Sequence, residues 1–363
     1  MRIDPLPGKM NARTMVFSFD EKYAKYFSVL LASLFEHADR SVPYDLVVLY
    51  DELLQETMER ILNMAPDGFS VRFFNVGSFA LELLGNQSDR FSAGKWVFST
   101  FYDLLIPFLM TDYERVVYID TDIVFRSDAG ELFEMPFDGS ALIAVRDTFS
   151  AVHRMIPDNP FLAKQAPFIR DYLGDENGDG YFNAGVLVFN IPAIDLDEYR
   201  ERMGVALAFP ELPTVEQDVL NYIFLEKVKY APLRLDLQVS IFDQFRDHPG
   251  DEEAELYRIA ADEAAVIHYT THEKPWLYPD CQMGGLFWSF AERSPFYEDI
   301  LLENFQRLSS ERKQRPAGVR LFLFLTETAH RIGLFPLRKL RRSQQRLVIL
   351  EDKLREYRRR SSG

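Results

Sequence analysis

The amino-acid sequence predicts an α/β fold, a mixed but mainly parallel sheet flanked by helices. Three observations carry this. Between Thr14 and Phe74, apolar strand-like runs alternate with helical periodicity in the order βαβαβ, and such alternation builds parallel sheets whose ligands sit at the carboxyl ends of the strands. A further apolar strand, Arg115 to Ile119, runs directly into Asp120. The 363 residues, 47% hydrophobic and 14% aromatic, suffice for one large domain with insertions and a substantial core.

The elements follow in order. Thr14 to Phe19 reads as the first strand, and Tyr23, Phe27, Leu30, Leu31, Leu34 and Phe35 then fall at helical spacing up to His37. Tyr44 to Tyr50 is the second strand, Glu52 to Met64 the second helix and Phe69 to Phe74 the third strand. Lys95 to Met110 is predicted as a helix whose aromatic stripe, Phe98 to Phe108, packs in the core. Ala141 to Val145 and Tyr181 to Asn190 are strands. Val215 to Glu226 is a helix with Thr214 as N-cap and Gln217 at the capping-box position, and Ala264 to Ile267 is a strand ending at His268.

Composition removes several classes of function. A lone cysteine, Cys281, excludes a disulfide framework and a Cys-rich zinc site. The start of the chain has no signal-peptide core, and no stretch of about 18 apolar residues suggests a membrane span; a cytoplasmic protein is expected. Charge divides the chain. From Glu311 to Gly363 there are 15 Lys and Arg against 5 Asp and Glu, a net of +10, whereas the remainder holds 26 against 51, a net of −25. So acidic a body repels nucleic acid, and a phosphate ligand bound there needs a cation.

Asp120 and Asp122 are the first chemical signal. In extended chain, residues two apart share a face, roughly 6 to 7 Å apart at Cα, so both carboxylates can converge on a hard divalent cation, with Thr121 pointing away. Capping of a helix or turn is the structural alternative. The similar Asp195-Leu196-Asp197 lies in a polar stretch that a solvated helix start explains. Asp175, Asn177, Asp179 and Gly180 imitate half of an EF-hand loop, but Val186 stands where the bidentate carboxylate belongs.

Four strings occur in a telling order: Val116 to Phe125 (VVYIDTDIVF), Tyr181 to Asn190 (YFNAGVLVFN), Glu216 to Leu220 (EQDVL) and His268 to Trp276 (HYTTHEKPW). Over roughly residues 14 to 290 the chain thereby resembles glycosyltransferase family 8, retaining enzymes of the GT-A fold that include bacterial lipopolysaccharide galactosyl- and glucosyltransferases and, more distantly, glycogenin. The resemblance implies that Asp120, Asp122 and His268 hold Mn²⁺ or Mg²⁺, and that Lys274 contacts the diphosphate of a UDP-sugar donor. It places Asp20 on the uracil ring, Asn183, Ala184 and Gly185 beside the donor sugar with Thr121 and Thr271 near the donor, and Asp147 on a sugar hydroxyl. Gln217 would lie near the anomeric carbon, flanked by Glu216 and Asp218 in the catalytic segment. Each has a structural alternative: a core role for His268, a surface lysine for Lys274, an N-cap for Asp20, the capping box for Gln217. The chain departs from the family pattern at Asp103, where an arginine is usual, at Thr271, where glycine is common, and at Glu216, where bacterial relatives often carry aspartate.

The expected activity is metal-dependent transfer of a hexose, glucose or galactose, from UDP to a hydroxyl of a glycan or glycolipid, as in lipopolysaccharide or cell-surface glycan synthesis. A sugar-nucleotide-binding protein without turnover and a self-glucosylating enzyme are the alternatives. Residues 12–310 form the expected catalytic domain. Residues 311–363 form a basic amphipathic appendage, suited to the anionic inner membrane face, while Leu340, Leu347 and Leu354 repeat at seven and would also suit a homodimer.

Overall fold

The structure, a computed structural model, describes residues 1–7, 11–84, 98–148, 162–241 and 251–310. The expected basic tail lies outside the described residues. Strand β1 (Arg13–Ser18) leads into α1 (Ala24–His37), then β2 (Tyr44–Tyr50), α2 (Gln55–Leu62), β3 (Phe69–Asn75) and α3 (Gly77–Leu84). A 3₁₀ turn (Phe98–Leu105) and the short α4 (Ile106–Leu109) precede β4 (Arg115–Ile119), β5 (Ile123–Phe125), α5 (Glu131–Glu134) and β6 (Leu142–Arg146). Next come α6 (Leu162–Leu173), β7 (Phe182–Asn190), α7 (Leu196–Leu207), α8 (Glu216–Ile223), β8 (Val228–Ala231) and β9 (Leu237–Gln238). The described chain closes with α9 (Glu252–Glu263), β10 (Val266–His268), α10 (Gly284–Ala291) and α11 (Tyr297–Ser310).

Seven strands form one sheet in the order β3-β2-β1-β4-β7-β6-β8, and β5-β10-β9 form a second, small sheet. The expected βαβαβ start is present, with β1 parallel to β2 and β4, and β2 parallel to β3. Strand β7 runs antiparallel to both neighbours, which makes the sheet mixed. Side chains alternate across β4: Val116 and Tyr118 pack on one face with Leu104, Leu105, Val219 and Leu220, whereas Val117 and Ile119 pack on the other with Phe27, Leu30 and Leu34 of α1. A strand covered on both faces must be apolar throughout, and each such side chain contributes about 1.5 to 3 kcal/mol on burial.

Some boundaries differ from expectation. The predicted helix from Lys95 is instead the 3₁₀ turn followed by α4, with Pro107 inside the first turn of that helix; residues 95–97 lie outside the described residues. Its aromatic residues, Phe101, Tyr102 and Phe108, do pack in the core. Of the second sheet only β10 was expected, as Ala264 to Ile267, and it runs Val266–His268; β5 and β9, three and two residues long, offer no period to read.

This topology positions the site. From β1 the chain winds outward through β2 and β3, then returns to place β4 on the other side of β1, so the carboxyl ends of β1 and β4 flank a topological switch point where open sheets bind ligands. Asp20 follows β1 and Asp120 follows β4. The register between β6 and β7 shifts after Ala144↔Leu187, so that the next pair is Val145↔Asn183. The intervening Ala184 to Val186 form a bulge, a device that re-aims backbone beside active sites. No helix among the described residues is long and apolar enough to cross a membrane.

Candidate active site

Asp120, Thr121 and Asp122 form a tight link between β4 of the large sheet and β5 of the small one. The two acids therefore converge through a turn, a correction to the extended geometry expected from their spacing. Backbone bonds fix both ends: Asp120 N–H donates to Gly185 O at 2.8 Å, and Tyr269 N–H donates to Asp122 O at 3.0 Å. Strand β10 pairs antiparallel with β5 and sets His268 opposite Ile123. Carboxylate oxygens of Asp120 and Asp122 and a ring nitrogen of His268 then lie within 4.8 Å of one another. His268 Nε2 is 3.2 Å from Asp122 Oδ1 and 3.7 Å from Asp120 Oδ2.

The ring is clamped. Its Nδ1 is 2.8 Å from Asp236 Oδ1, and a Cβ on Gly185 would come within 2.2 Å of His268 Cε1. Gly185 was expected beside the donor sugar; here its missing side chain makes room for the imidazole. Asp236 escaped the sequence analysis. Its only signal there is an acid flanked by Leu235 and Leu237, which marks a buried charge needing a partner.

Charge in this centre is one-sided. Burial, reinforced by Asp122, raises the Asp120 carboxyl to about 6. For Asp122, burial is outweighed by Lys274 and His268, which hold its carboxyl well below the usual range. Burial of His268 is outweighed by Asp236 and Asp122, so its imidazole titrates well above the usual value. Lys274 pairs with Asp122 and also donates to Tyr269 O at 2.5 Å. It sits at the acid pair as a neutralising cation and is not a free surface lysine.

Beside these acids lie Asp103, which is 1% exposed, and Glu216. Burial and the neighbouring Asp120 push the Asp103 carboxyl well above its ordinary value; burial and Asp103 do the same to Glu216. Asp103 Oδ1 accepts from Leu104 N–H at 2.7 Å, whereas the buried Oε2 of Glu216 has no hydrogen-bond partner among the described residues.

A second network crosses from α8 to the β7 bulge. Gln217 Oε1 accepts from Ala184 N–H at 3.0 Å, and its Nε2 donates to Asp147 Oδ2 at 2.8 Å. Asn183 Nδ2 donates to the same oxygen at 3.3 Å, while its Oδ1 accepts from Gly185 N–H at 2.8 Å. The capping box expected for Gln217 is absent. Helix α8 starts at Glu216 after Val215, a β-branched residue at φ 55°, and Asp218 closes this turn by accepting from Thr214 N–H (2.7 Å), Thr214 Oγ1 (2.6 Å) and Tyr181 Oη (2.5 Å). Asp218 is thus fully buried and engaged in holding the turn. Thr214 is no N-cap; the position falls to Val215, whose side chain cannot accept.

The remaining candidates divide. Asp20 Oδ1 accepts from Tyr23 N–H at 3.0 Å, capping a turn that delays α1 to Ala24. The Tyr23 hydroxyl feels both this aspartate and the acid cluster, raised to about 12 by burial, Asp122 and Asp20. Thr121 is buried between the two acids. Thr271 keeps φ at 63°, the left-handed region that glycine adopts at little cost and a β-branched residue rarely enters. The decoys behave as structural groups. Asp195 accepts from Asp197 and Glu198 N–H at the start of α7, and Asp175 spends its carboxylate on Asn177, Gly178 and Gly180 N–H.

The chain matches the family model described as Glycosyl transferase family 8 over residues 14–280. It is 25% identical over 287 residues to a lipopolysaccharide 1,2-glucosyltransferase of Escherichia coli, across 76% of this chain and 77% of that protein. A lipopolysaccharide 1,3-galactosyltransferase of Salmonella typhimurium is 24% identical over 197 residues, and the match spans 51% of each. Among solved structures, the bifunctional glycosyltransferase WbbM superposes with a TM-score of 0.70 at 26% identity, over 83% of this chain and 53% of that one. The galactosyltransferase LgtC, solved with donor and acceptor sugar analogs, superposes with a TM-score of 0.57 at 22% identity, over 78% of this chain and 96% of that one, a likeness of fold.

Two expectations follow from the geometry. Replacing Gly185 by alanine drives a methyl into an imidazole that Asp236 prevents from moving aside, so the variant should lose on the order of 1 to 3 kcal/mol of stability. Chemical denaturation checks this; a wild-type value would refute the clamp. Carboxyls raised on folding stabilise the fold below their unfolded values, and that contribution is lost as pH rises through their folded ones. Asp120 and Asp218, both at about 6, give this sign, and the lowered Asp122 opposes it only at more acid pH. The protein should therefore melt at a higher temperature near about pH 5.5 than near about pH 7.5, which thermal unfolding followed at the two pH values checks.

Proposed function

The chain belongs to glycosyl transferase family 8, and from that premise we propose that it transfers a hexose, glucose or galactose, from a UDP-sugar to a hydroxyl of a glycan or glycolipid with the anomeric configuration retained. The seven-strand sheet and its small companion form the GT-A fold. The observation that carries the proposal is the convergence of Asp120, Asp122 and His268 at the carboxyl end of β4. Two carboxylates and an imidazole suit Mn²⁺ or Mg²⁺, and so acidic a centre has room in its charge balance for a dication. When bound there, such an ion supplies Lewis-acid stabilisation of the charge that builds on the departing diphosphate.

The chain's own residues would divide the remaining work. Lys274, beside Asp122, adds a second cation for the diphosphate. Asp20 would accept from the uracil ring, and Asn183 and Ala184, at the β7 bulge, would lie beside the sugar. Asp147, held by Gln217 and Asn183, would accept from a sugar hydroxyl. Gln217 itself is a carboxamide with both ends engaged, a poor nucleophile. This favours front-side attack, in which the leaving phosphate takes the acceptor's proton, over double displacement. The relatives' names support a lipopolysaccharide acceptor.

A second reading, a binding module without turnover, is favoured by one observation: the Asp103 carboxyl, raised by burial and by its neighbour Asp120, stands where the family resemblance implies an arginine, so it brings no cation to the diphosphate. Release of UDP from UDP-glucose and UDP-galactose, with and without Mn²⁺, separates the two. Metal-stimulated release is expected, falling about 100-fold or more in Asp120→Ala, the scale of losing one charge-stabilising contact. Binding of UDP without release from either donor would favour the silent module. The basic charge of residues 311–363 supports peripheral attachment to an anionic membrane. Full-length protein should sediment with phosphatidylserine vesicles at low salt and be released at high salt, and removal of those residues should abolish the effect; salt-insensitive dimers that ignore vesicles would refute it.

A further inference from the structure

We propose that Asp236 is a positioning residue for the metal, fixing the tautomer and aim of His268; this deepens the metal-dependent reading above and rests on it. Asp236 ends the 3₁₀ turn Leu233–Leu235, where its N–H donates to Leu233 O at 3.1 Å. One residue on, β9 pairs in parallel with β10, matching Ile267 to Leu237 and His268 to Gln238. The relative placement of carboxylate and imidazole is thus set by backbone pairing.

The side chain is fully buried. Its Oδ1 meets His268 Nδ1 at 2.8 Å, and its Oδ2 has no hydrogen-bond partner among the described residues. A buried carboxylate with one unsatisfied oxygen is costly, and among the described residues His268 is the one side chain it engages through a hydrogen bond. The imidazole therefore spans two sets of acids, with Nδ1 toward Asp236 and Nε2 toward Asp120 and Asp122. A histidine that ligates through Nε2 must carry its proton on Nδ1, and a carboxylate at Nδ1 secures that tautomer while making Nε2 a better donor of its lone pair. Gly185 closes the space into which the ring could turn.

Charge points the same way. Asp120, Asp122 and Asp236 bring three negative charges, and Lys274 brings one positive. A dication at a neutral His268 brings the cluster to neutrality, so Asp236 contributes to the attraction as well as to the aim.

The test is Mn²⁺ titration by calorimetry of full-length wild type, Asp236→Asn, Asp236→Ala and, as a control on the metal reading, Asp120→Asn. Asp236→Asn keeps the shape and remains informative should the alanine variant not fold. One ion per chain is expected in the wild type, with affinity falling about 10- to 100-fold in Asp236→Ala, the usual scale for an outer partner of a histidine ligand, and by less in Asp236→Asn. Long-range ¹H–¹⁵N spectra of His268 with Mg²⁺ bound should show the Nδ1-protonated form in wild type and a mixture in the Asp236 variants. Wild-type affinity and an unchanged tautomer in Asp236→Asn, with only its melting temperature lowered, would make Asp236 a packing residue and overturn the proposal. Unchanged Mn²⁺ binding in Asp120→Asn would instead bring down the metal reading itself.

Discussion

Carboxylates crowded into a poorly hydrated centre repel one another, and the middle of this molecule is organised around that constraint. Asp120, Asp122 and Asp236 surround a single imidazole, with Asp103 and Glu216 close by. In water such groups would separate. Here they cannot, because Asp120 is tied by backbone to Gly185, Asp122 to Tyr269, and Asp236 to the strand that pairs with His268. The centre meets its own repulsion with Lys274, with protons on the acids that burial raises, and, on the reading developed above, with a divalent ion. Rigidity and charge are two aspects of one design: only a fixed frame keeps anions this close.

The frame comes from two sheets sharing one short link. Strand β4 belongs to the large sheet and β5 to the small one, so Asp120, Thr121 and Asp122 fall where the chain passes between them. The switch in strand order beside β1 opens a crevice at that same end. The β7 bulge and the strained turn at Val215 bring in Asn183, Gly185 and Gln217 from the other side. Irregular backbone is concentrated where side chains must be aimed, and regular strands lie where they need only be buried.

Much of the site was legible in the sequence because its chemistry is local. An acid pair following Val-Val-Tyr-Ile announces a charge at a strand end, and Asp195 in a polar stretch announces a cap; both behaved so. What misled was side-chain direction. With Thr214 read as N-cap, Gln217 falls at the capping-box position, yet it turns to Ala184 and Asp147, while Asp218, in the same turn, holds Thr214 and Tyr181. One-turn spacing names neighbours on a helix but cannot say which faces the sheet when the helix starts at a strained residue such as Val215. Thr271 shows the converse: the backbone demand of a glycine position survives in the fold although the glycine does not.

By itself the sequence determined the alternation of strands and helices, the apolar strands that fill both faces of the sheet, the family motifs and the acidic character of the body. These depend on residue type and on periods of two and 3.6, which neighbours along the chain express. Tertiary structure alone decided that Asp236 stands behind His268, that Gly185 is small for the sake of that ring, and that the acids at 120 and 122 converge through a turn between sheets. Those facts depend on strands two or three residues long and on pairing between segments far apart in the chain, and such contacts leave no periodic trace in the order of the amino acids.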